Sequence, residues 1–188
     1  MLDDLLLVVI VLFPVSETAL AFLRRSDSRL ARRDDRGSMR LLWLAIALGV
    51  GLAVASRSVI AARLPLPGRV VGPLALGLLL AGLAIRWAAI VSLGPLFTVD
   101  VAIRCDHVLV DRGMFRYVRH PSYSGLLLAF LGLGAFFTNW LSLVVLMLPI
   151  ALAVVNRIGT EERALREALG AEYIAYCART KRLIPGFL

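Results

Sequence analysis

Two clusters of ionisable residues flank an apolar segment, residues 124–156, that contains no charged side chain. The first cluster is Arg119-His120-Pro121-Ser122-Tyr123, and the second contains Arg157, Glu161 and Glu162. A chain that enters a membrane and returns brings its two ends to one face, so we expect the clusters to meet. Arginine can hold a carboxylate through two parallel hydrogen bonds, and His or Glu can accept a proton. Because ionisable residues at membrane depth are costly, the clusters are candidates for a functional site.

The composition indicates the class of protein that carries these clusters. The 188 residues are 60% hydrophobic and 18% charged, with a mean hydropathy of +0.83. Soluble domains are nearer half apolar and about a quarter charged. We therefore predict a single membrane domain, residues 1–188. The net charge of +8 does not indicate nucleic-acid binding, because the basic residues are concentrated in alternate loops, as the positive-inside rule describes.

Five apolar runs predict an all-α integral membrane protein with about five transmembrane helices: 5–23, 41–60, 70–91, 123–137 and 140–155. The first three runs are long enough for a hydrocarbon core of ~30 Å at ~1.5 Å per residue. The last two are shorter and meet at Thr138 and Asn139, so we predict that they form a short hairpin. The first run follows two acidic residues rather than a basic segment, and we interpret it as a retained helix and not a signal peptide.

The distribution of Lys and Arg predicts the orientation in the membrane. Segments 24–40, 92–122 and 156–188 carry seven, four and six basic residues, more than the segments on the opposite side. We therefore place these three segments and both clusters in the cytoplasm. Leucines and tyrosines at helical spacing predict amphipathic cytoplasmic helices after residue 155, interrupted at Gly170. The composition, rich in Arg and Ala and poor in Lys, is typical of GC-rich prokaryotes, so we expect the inner (cell) membrane.

Four other residues have ordinary structural interpretations. Glu17 and Arg86 are charges within apolar runs, and Arg86 is close enough to the end of its run for the long side chain to reach the interface. Cys105 and Cys177 lack the spacing of a metal site. Both cysteines fall in predicted cytoplasmic segments, where thiols stay reduced, so we predict no disulfide and no metal.

The C-terminal half carries a series of spaced motifs. They are LG-x2-FT from Leu93, H-x-LV-x2-G-x-F-R-x2-RHPSY-x-G from His107, R-I-x2-EE-x2-L from Arg157 and G-x2-Y-x2-Y from Gly170. In order and spacing this set resembles the isoprenylcysteine carboxyl methyltransferase family, and it is similar to the related phospholipid methyltransferases. The match covers roughly residues 93–187. We therefore divide the chain into N-terminal transmembrane helices, residues 1–91, and a catalytic methyltransferase region, residues 92–188.

The resemblance implies an integral membrane methyltransferase that uses S-adenosyl-L-methionine, held between the last membrane helices and the C-terminal segment. It assigns cofactor binding to these residues: His107, Val108, Leu109, Val110, Phe115, Arg119, His120, Pro121, Ser122, Tyr123 and Glu161. Arg157 is the implied substrate-binding residue, and Arg157, Glu161 and Glu162 form the implied catalytic group. Members of the family often have Tyr where this chain has Phe115, so a phenol hydrogen bond is missing here.

The acceptor of the methyl group is left open by the residues themselves. Methyl transfer from a sulfonium mainly requires two reactants held close and aligned. A carboxylate is already ionised, so we expect O-methylation of a lipophilic, isoprenylcysteine-like substrate taken from the bilayer. An amine must first lose a proton, to Glu162 or His120, and N-methylation of a phospholipid or another small lipophilic acceptor is the alternative. A non-catalytic membrane scaffold is the second alternative, and the sequence does not specify an oligomeric state.

Overall fold

The computed structural model describes residues 33–94 and 109–186, with side chains from residue 37. These residues form five α-helices: α1 Arg33–Ser56, α2 Gly68–Leu93, α3 Pro121–Phe136, α4 Trp140–Leu169 and α5 Ala171–Arg179. Short 3-10 helices at Ile60–Ala62 and Gly113–Arg116 precede α2 and α3. The described ranges contain isolated β-bridges but no strand, so the all-helical prediction is confirmed for them.

Three of these helices are long and apolar enough to cross a membrane: Gly37–Ser56, Gly68–Leu93 and Trp140–Leu169. They correspond to the second, third and fifth apolar runs, in agreement with an integral membrane protein. The helix α3, with 16 residues, is shorter, as predicted. The first apolar run, residues 5–23, lies outside the described residues, so the number of five spans and the division of the chain at residue 91 stay predictions.

The predicted short hairpin is wrong for its second helix. The apolar run ends at residue 155, but α4 continues to Leu169 and has 30 residues, or ~45 Å at ~1.5 Å per residue. Residues 156–169, predicted as part of a separate surface helix, instead extend the membrane helix, because polar residues continue its backbone hydrogen bonds without interruption. The helix ends at Gly170, whose φ of 53° is readily adopted by glycine. The predicted interruption at Gly170 is confirmed.

The helices α2 and α3 pack backbone to backbone. A Cβ atom added to Gly125 would lie 2.6 Å from both the amide nitrogen of Arg86 and the carbonyl oxygen of Gly82. A Cβ added to Gly132 would lie 2.5 Å from the amide nitrogen of Leu79. Small residues at such crossings allow membrane helices to approach closely. The close approach brings Arg86 beside the first turn of α3.

Asn139 fixes the turn between α3 and α4. Its side-chain oxygen accepts hydrogen bonds from the amides of Leu141 (3.0 Å) and Ser142 (3.2 Å), which is the geometry of a helix N-cap. Its amide nitrogen donates to the carbonyl of Val59, 3.0 Å away, after the end of α1. The hydroxyl of Ser142 donates to the carbonyl of Ala53 at 2.9 Å, so the last turn of α1 is joined to the first turn of α4. The turn predicted at this position is confirmed.

Candidate functional site

The first turn of α3 lies against α4, and the two polar clusters meet there as the sequence led us to expect. Pro121 occupies the first position of α3, where the amide hydrogen that it lacks would have no helical partner. His120 immediately precedes the helix and is buried. The neighbouring Tyr123 ring is tilted against the His120 ring, with the centroids 5.8 Å apart. These rings face a polar section of α4 that begins at Arg157.

Glu162 is enclosed by basic side chains, and only 1% of its surface is exposed. Its carboxylate accepts hydrogen bonds from Arg119 Nε at 3.1 Å, from Arg182 at 3.1 and 2.8 Å, and from Arg166 Nη2 at 3.3 Å. The Nε2 atom of His120 lies 3.6 Å from Glu162 Oε1, slightly beyond hydrogen-bond distance. Three guanidinium groups stabilise the charged carboxylate, so Glu162 is poorly suited to accept a proton.

Arg157 is also buried, with 2% of its surface exposed. Its Nε atom donates to the hydroxyl of Tyr123 at 3.3 Å, and its Nη1 atom donates to the hydroxyl of Ser38 on α1 at 2.8 Å. The carboxylate of Glu161, one helical turn later, is close enough to interact electrostatically with both Arg157 and Tyr123. The hydroxyl groups of Tyr123 and Ser38 therefore fix the orientation of the buried guanidinium group of Arg157.

Glu161 differs from Glu162 in its access to solvent. Its side chain is 31% exposed, and its Oε2 atom lies 3.9 Å from Nδ1 of His120. The other ring nitrogen of His120, Nε2, is buried and has no hydrogen-bond partner among the described residues. The carboxylate of Glu161 and Nδ1 of His120 therefore lie together, whereas Nε2 of the same ring is turned towards Glu162. The partly exposed carboxylate of Glu161 can accept hydrogen bonds from a bound molecule.

The C-terminal segment after α5 pairs with the chain that leads into α3. The amides of Arg119 and His120 donate to the carbonyls of Lys181 (2.7 Å) and Arg182 (3.0 Å), and the amide of Lys181 donates to the carbonyl of Tyr117 (3.1 Å). The guanidinium of Arg119 also donates to carbonyls at the end of α5. The hydrogen bond to Glu162 raises the pKa of Arg182. The tail is therefore part of the wall of the site.

The tyrosines of the G-x2-Y-x2-Y motif lie on the buried side of α5. The hydroxyl of Tyr176 donates to the carbonyl of Phe115 at 2.6 Å, and burial raises the pKa of Tyr176 to about 12. Burial also raises the pKa of Tyr173, whose hydroxyl has no hydrogen-bond partner in the part of the chain that the structure describes. Phe115 itself is buried and anchors α5 through its carbonyl oxygen.

The structure adds three residues to the site that were not expected there from the sequence. Arg86, interpreted as an interfacial charge, is buried, and its Nη1 atom donates to the hydroxyl of Ser122 at 2.9 Å. Its isolation in an apolar run was a signal for such a contact. Arg182 counted only toward the membrane orientation, although it lies within residues 93–187, the range that the family resemblance covers. No sequence signal pointed to Ser38.

Four of the predicted cofactor-binding residues belong to the segment 107–110, of which the structure describes only the second half. His107 and Val108 lie outside the described residues. Leu109 and Val110 are half-buried at the start of the segment that leads to α3. Their assignment to cofactor binding stays a prediction.

Comparisons with known proteins identify the family that this chain resembles. Residues 75–167 match the model of the isoprenylcysteine carboxyl methyltransferase (ICMT) family. The resemblance to this family is thereby confirmed. A protein-S-isoprenylcysteine O-methyltransferase of Schizosaccharomyces pombe is 36% identical over 113 residues, which are 59% of this chain and 48% of the relative. Protein-S-isoprenylcysteine O-methyltransferase B of Arabidopsis thaliana is 31% identical over 112 residues, 58% of this chain and 57% of the relative.

A solved structure of the ICMT family has a similar fold. It is described as the eukaryotic intramembrane Ras methyltransferase ICMT, and it matches with a TM-score of 0.61 and 24% sequence identity. The match covers 77% of this chain and 52% of that chain. This chain thus spans about half the length of the relatives that it matches. The apolar helices and the ICMT family match together show an integral membrane protein.

Proposed function

We propose that this chain is a membrane methyltransferase that transfers a methyl group from S-adenosyl-L-methionine to the carboxylate of a lipophilic, isoprenylcysteine-like substrate. The observation that carries the proposal is the buried cation of Arg157, which lies against Tyr123 and one helical turn before the half-exposed carboxylate of Glu161. The ICMT family match supports the reaction class, and the names of the relatives support a prenylated carboxylate as the acceptor.

The substrate side of the site depends on Arg157. A guanidinium group can bind a carboxylate through two parallel hydrogen bonds, which fixes the direction of the attacking oxygen. Contacts with Ser38 and Tyr123 hold the arginine from two sides, so the side chain is already ordered before an anion arrives. A carboxylate is ionised at neutral pH and needs no base. Glu162, already engaged by three arginines, is then not required as a proton acceptor.

The donor side fits the polar groups of S-adenosyl-L-methionine. When bound, this cofactor supplies an electrophilic methyl group on a sulfonium. Glu161 can accept hydrogen bonds from an amine or from ribose hydroxyls, and Nδ1 of His120 lies 3.9 Å from the same carboxylate. Cofactor and substrate would approach each other between the first turn of α3 and α4. Alignment of two bound reactants is the main contribution that such a site makes to methyl transfer.

The position of the site in the membrane follows from the length of α4. About twenty helical residues span a core of ~30 Å, so the residues near Arg157 fall at the edge of the core when the helix enters at Trp140. A lipophilic tail can then remain among the apolar helices while the carboxylate reaches Arg157. We place this edge on the cytoplasmic side, where most of the basic residues lie. A prokaryotic inner membrane stays a prediction, because the relatives named above come from a yeast and a plant.

The test is a methyl-transfer assay on membranes that contain the protein, with methyl-labelled S-adenosyl-L-methionine and an S-prenylated N-acetylcysteine. We expect base-labile label in the organic phase, as an ester requires. Arg157→Ala should abolish turnover, and Arg163→Ala, which removes an exposed arginine from the same helix, should not. Base-stable label in lipid would favour an N-methyltransferase instead. Absence of both label and cofactor binding would favour the scaffold.

A further inference from the structure

Arg182 lies outside every motif interpreted above as catalytic, yet it contacts the centre of the site. It belongs to the segment after α5 that pairs with the chain entering α3. Its side chain is 51% exposed, whereas its partner Glu162 is almost completely buried. The two hydrogen bonds between them, at 3.1 and 2.8 Å, use both carboxylate oxygens. A guanidinium fork of this kind is stronger and more directional than a single ammonium contact.

The pair joins the tail to the residue that begins α3. The amide of His120 precedes the helix and has no partner within it, and the carbonyl of Arg182 accepts its hydrogen bond at 3.0 Å. The imidazole of the same His120 lies 3.6 Å from Glu162, the residue that the Arg182 side chain holds. Arg182 therefore contacts His120 through its own backbone and, through Glu162, reaches the imidazole ring. Movement of Arg182 would disturb both the backbone and the ring of His120.

Arg182 and Glu162 differ in exposure, and this difference determines which of them is destabilised when the contact between them is lost. The Arg182 side chain can exchange Glu162 for water at little cost, because half of it is already solvated. Glu162 cannot do so, because a buried carboxylate that loses a charged partner is strongly destabilised. The disturbance would pass to Glu162 and to its other contacts, Arg119 and His120. These contacts line the side of the site proposed above for the cofactor.

We infer that Arg182 is a positioning residue that fixes the C-terminal segment, residues 180–183, onto the start of α3 and so sets His120 for cofactor binding. The inference rests on the proposed function, in which His120 and Glu161 contact S-adenosyl-L-methionine. It assigns a part in cofactor affinity to a side chain that was not among the predicted cofactor-binding residues. It requires no contact between Arg182 and either reactant.

The experiment compares Arg182→Gln with Lys181→Gln, which removes the same charge from the neighbouring exposed residue. For Arg182→Gln we expect the KM for S-adenosyl-L-methionine to rise roughly tenfold, as the loss of ~1.4 kcal/mol of binding free energy predicts, with little change in kcat. Lys181→Gln should resemble the wild type. Arg182→Lys retains the charge without the fork and should give an intermediate KM. If Arg182→Gln does not fold, the KM of Arg182→Lys can still be compared with that of the wild type.

A second measurement is independent of activity. The amides of Arg119 and His120, which donate to the tail, should exchange hydrogen faster in Arg182→Gln than in Lys181→Gln when the full chain is studied in detergent. Equal exchange in these two variants would overturn the inference, as would faster exchange with an unchanged KM or a fall in kcat alone. A wild type without turnover would instead refute the proposed function, and the exchange rates would still decide whether Arg182 holds the tail.

Discussion

Two adjacent glutamates of α4 lie in opposite environments. Glu162 is 1% exposed and is hydrogen-bonded to three arginines, whereas the Glu161 side chain is 31% exposed and faces His120 and the buried Arg157. Successive residues on an α-helix are about 100° apart around its axis, so neighbours in sequence face different partners. The two acidic residues of one motif therefore lie in different environments, and we expect them to have different roles. One closes the structure around the site, and the other remains accessible to a ligand.

The contrast has a physical basis in desolvation. A carboxylate that is removed from water must recover its lost hydration from charged hydrogen bonds, and Glu162 does so through Arg119, Arg166 and Arg182. Glu161 keeps part of its hydration and needs fewer protein partners. We therefore expect substitutions of the two residues to affect different measurements: folding stability for Glu162 and cofactor affinity for Glu161.

The largest expected effect is that of Glu162→Ala. Removal of one partner of a buried ion pair destabilises proteins by about 3–5 kcal/mol, and here the side chain of Arg119, only 10% exposed, would keep its charge without a carboxylate partner. We expect a comparable decrease in the free energy of unfolding, measured by denaturant titration of the purified protein in detergent. Glu161→Ala is the matched control and should change the free energy of unfolding by less than ~1 kcal/mol. Equal losses in the two variants would remove the distinction between the residues.

The next effect concerns the first turn of α3, which both glutamates contact through His120. In Gly125→Ala the new methyl group would lie 2.6 Å from backbone atoms of α2, so the two helices must separate. Overpacking of this kind typically destabilises by about 1–3 kcal/mol. We expect lower stability and weaker cofactor binding together, measured by unfolding and by calorimetry.

Gly77→Ala is the control for this prediction. It lies on α2 as well, but a Cβ atom at Gly77 has no neighbour within 4 Å. The stability of this variant should be unchanged or slightly higher, because alanine favours a helix. If Gly125→Ala behaves in the same way, the contact between α2 and α3 does not position the first turn of α3.

Much of this arrangement could be predicted from local sequence. Hydropathy identified the helices that became α1 to α4, and Pro121, Asn139 and Gly170 marked positions where helices begin or end. Local signals sufficed at these positions because each depends on only a few neighbouring residues. The contact between the cluster that begins at Arg119 and the cluster that begins at Arg157 could also be predicted, because a chain that enters a membrane and returns brings its two ends to one face.

The remaining features depend on contacts between distant residues. The length of α4 was missed because hydropathy reports where apolar side chains end and not where helical hydrogen bonds end. The contact of Arg157 with Ser38 joins residues 119 positions apart, and that of Arg182 with Glu162 joins the tail to a membrane helix. A single sequence contains no local signal for such pairs. The different environments of Glu161 and Glu162 likewise appear only when the partners of each face of α4 are known.

Glu161→Gln is expected to have the smallest effect on the free energy of unfolding. It is also the most specific test of the difference between Glu161 and Glu162. The substitution keeps the shape of the side chain and removes the charge. We expect the affinity for S-adenosyl-L-methionine to fall roughly tenfold, or ~1.4 kcal/mol, because a charged acceptor forms stronger hydrogen bonds than a neutral one. The free energy of unfolding should stay near that of the wild type. Calorimetric binding in detergent and denaturant unfolding provide the two measurements.

Glu172→Gln is the appropriate control, because it removes an exposed carboxylate from α5. It changes the net charge of the protein by the same amount as Glu161→Gln. An equal loss of affinity in both variants would mean that net charge, rather than a contact with Glu161, governs cofactor binding. A loss of stability in Glu161→Gln as large as that expected for Glu162→Ala would show that the exposed glutamate also holds the fold together. If only Glu161→Gln weakens cofactor binding, and its free energy of unfolding is unchanged, then Glu161 contacts the cofactor. Its neighbour Glu162 then has a structural role.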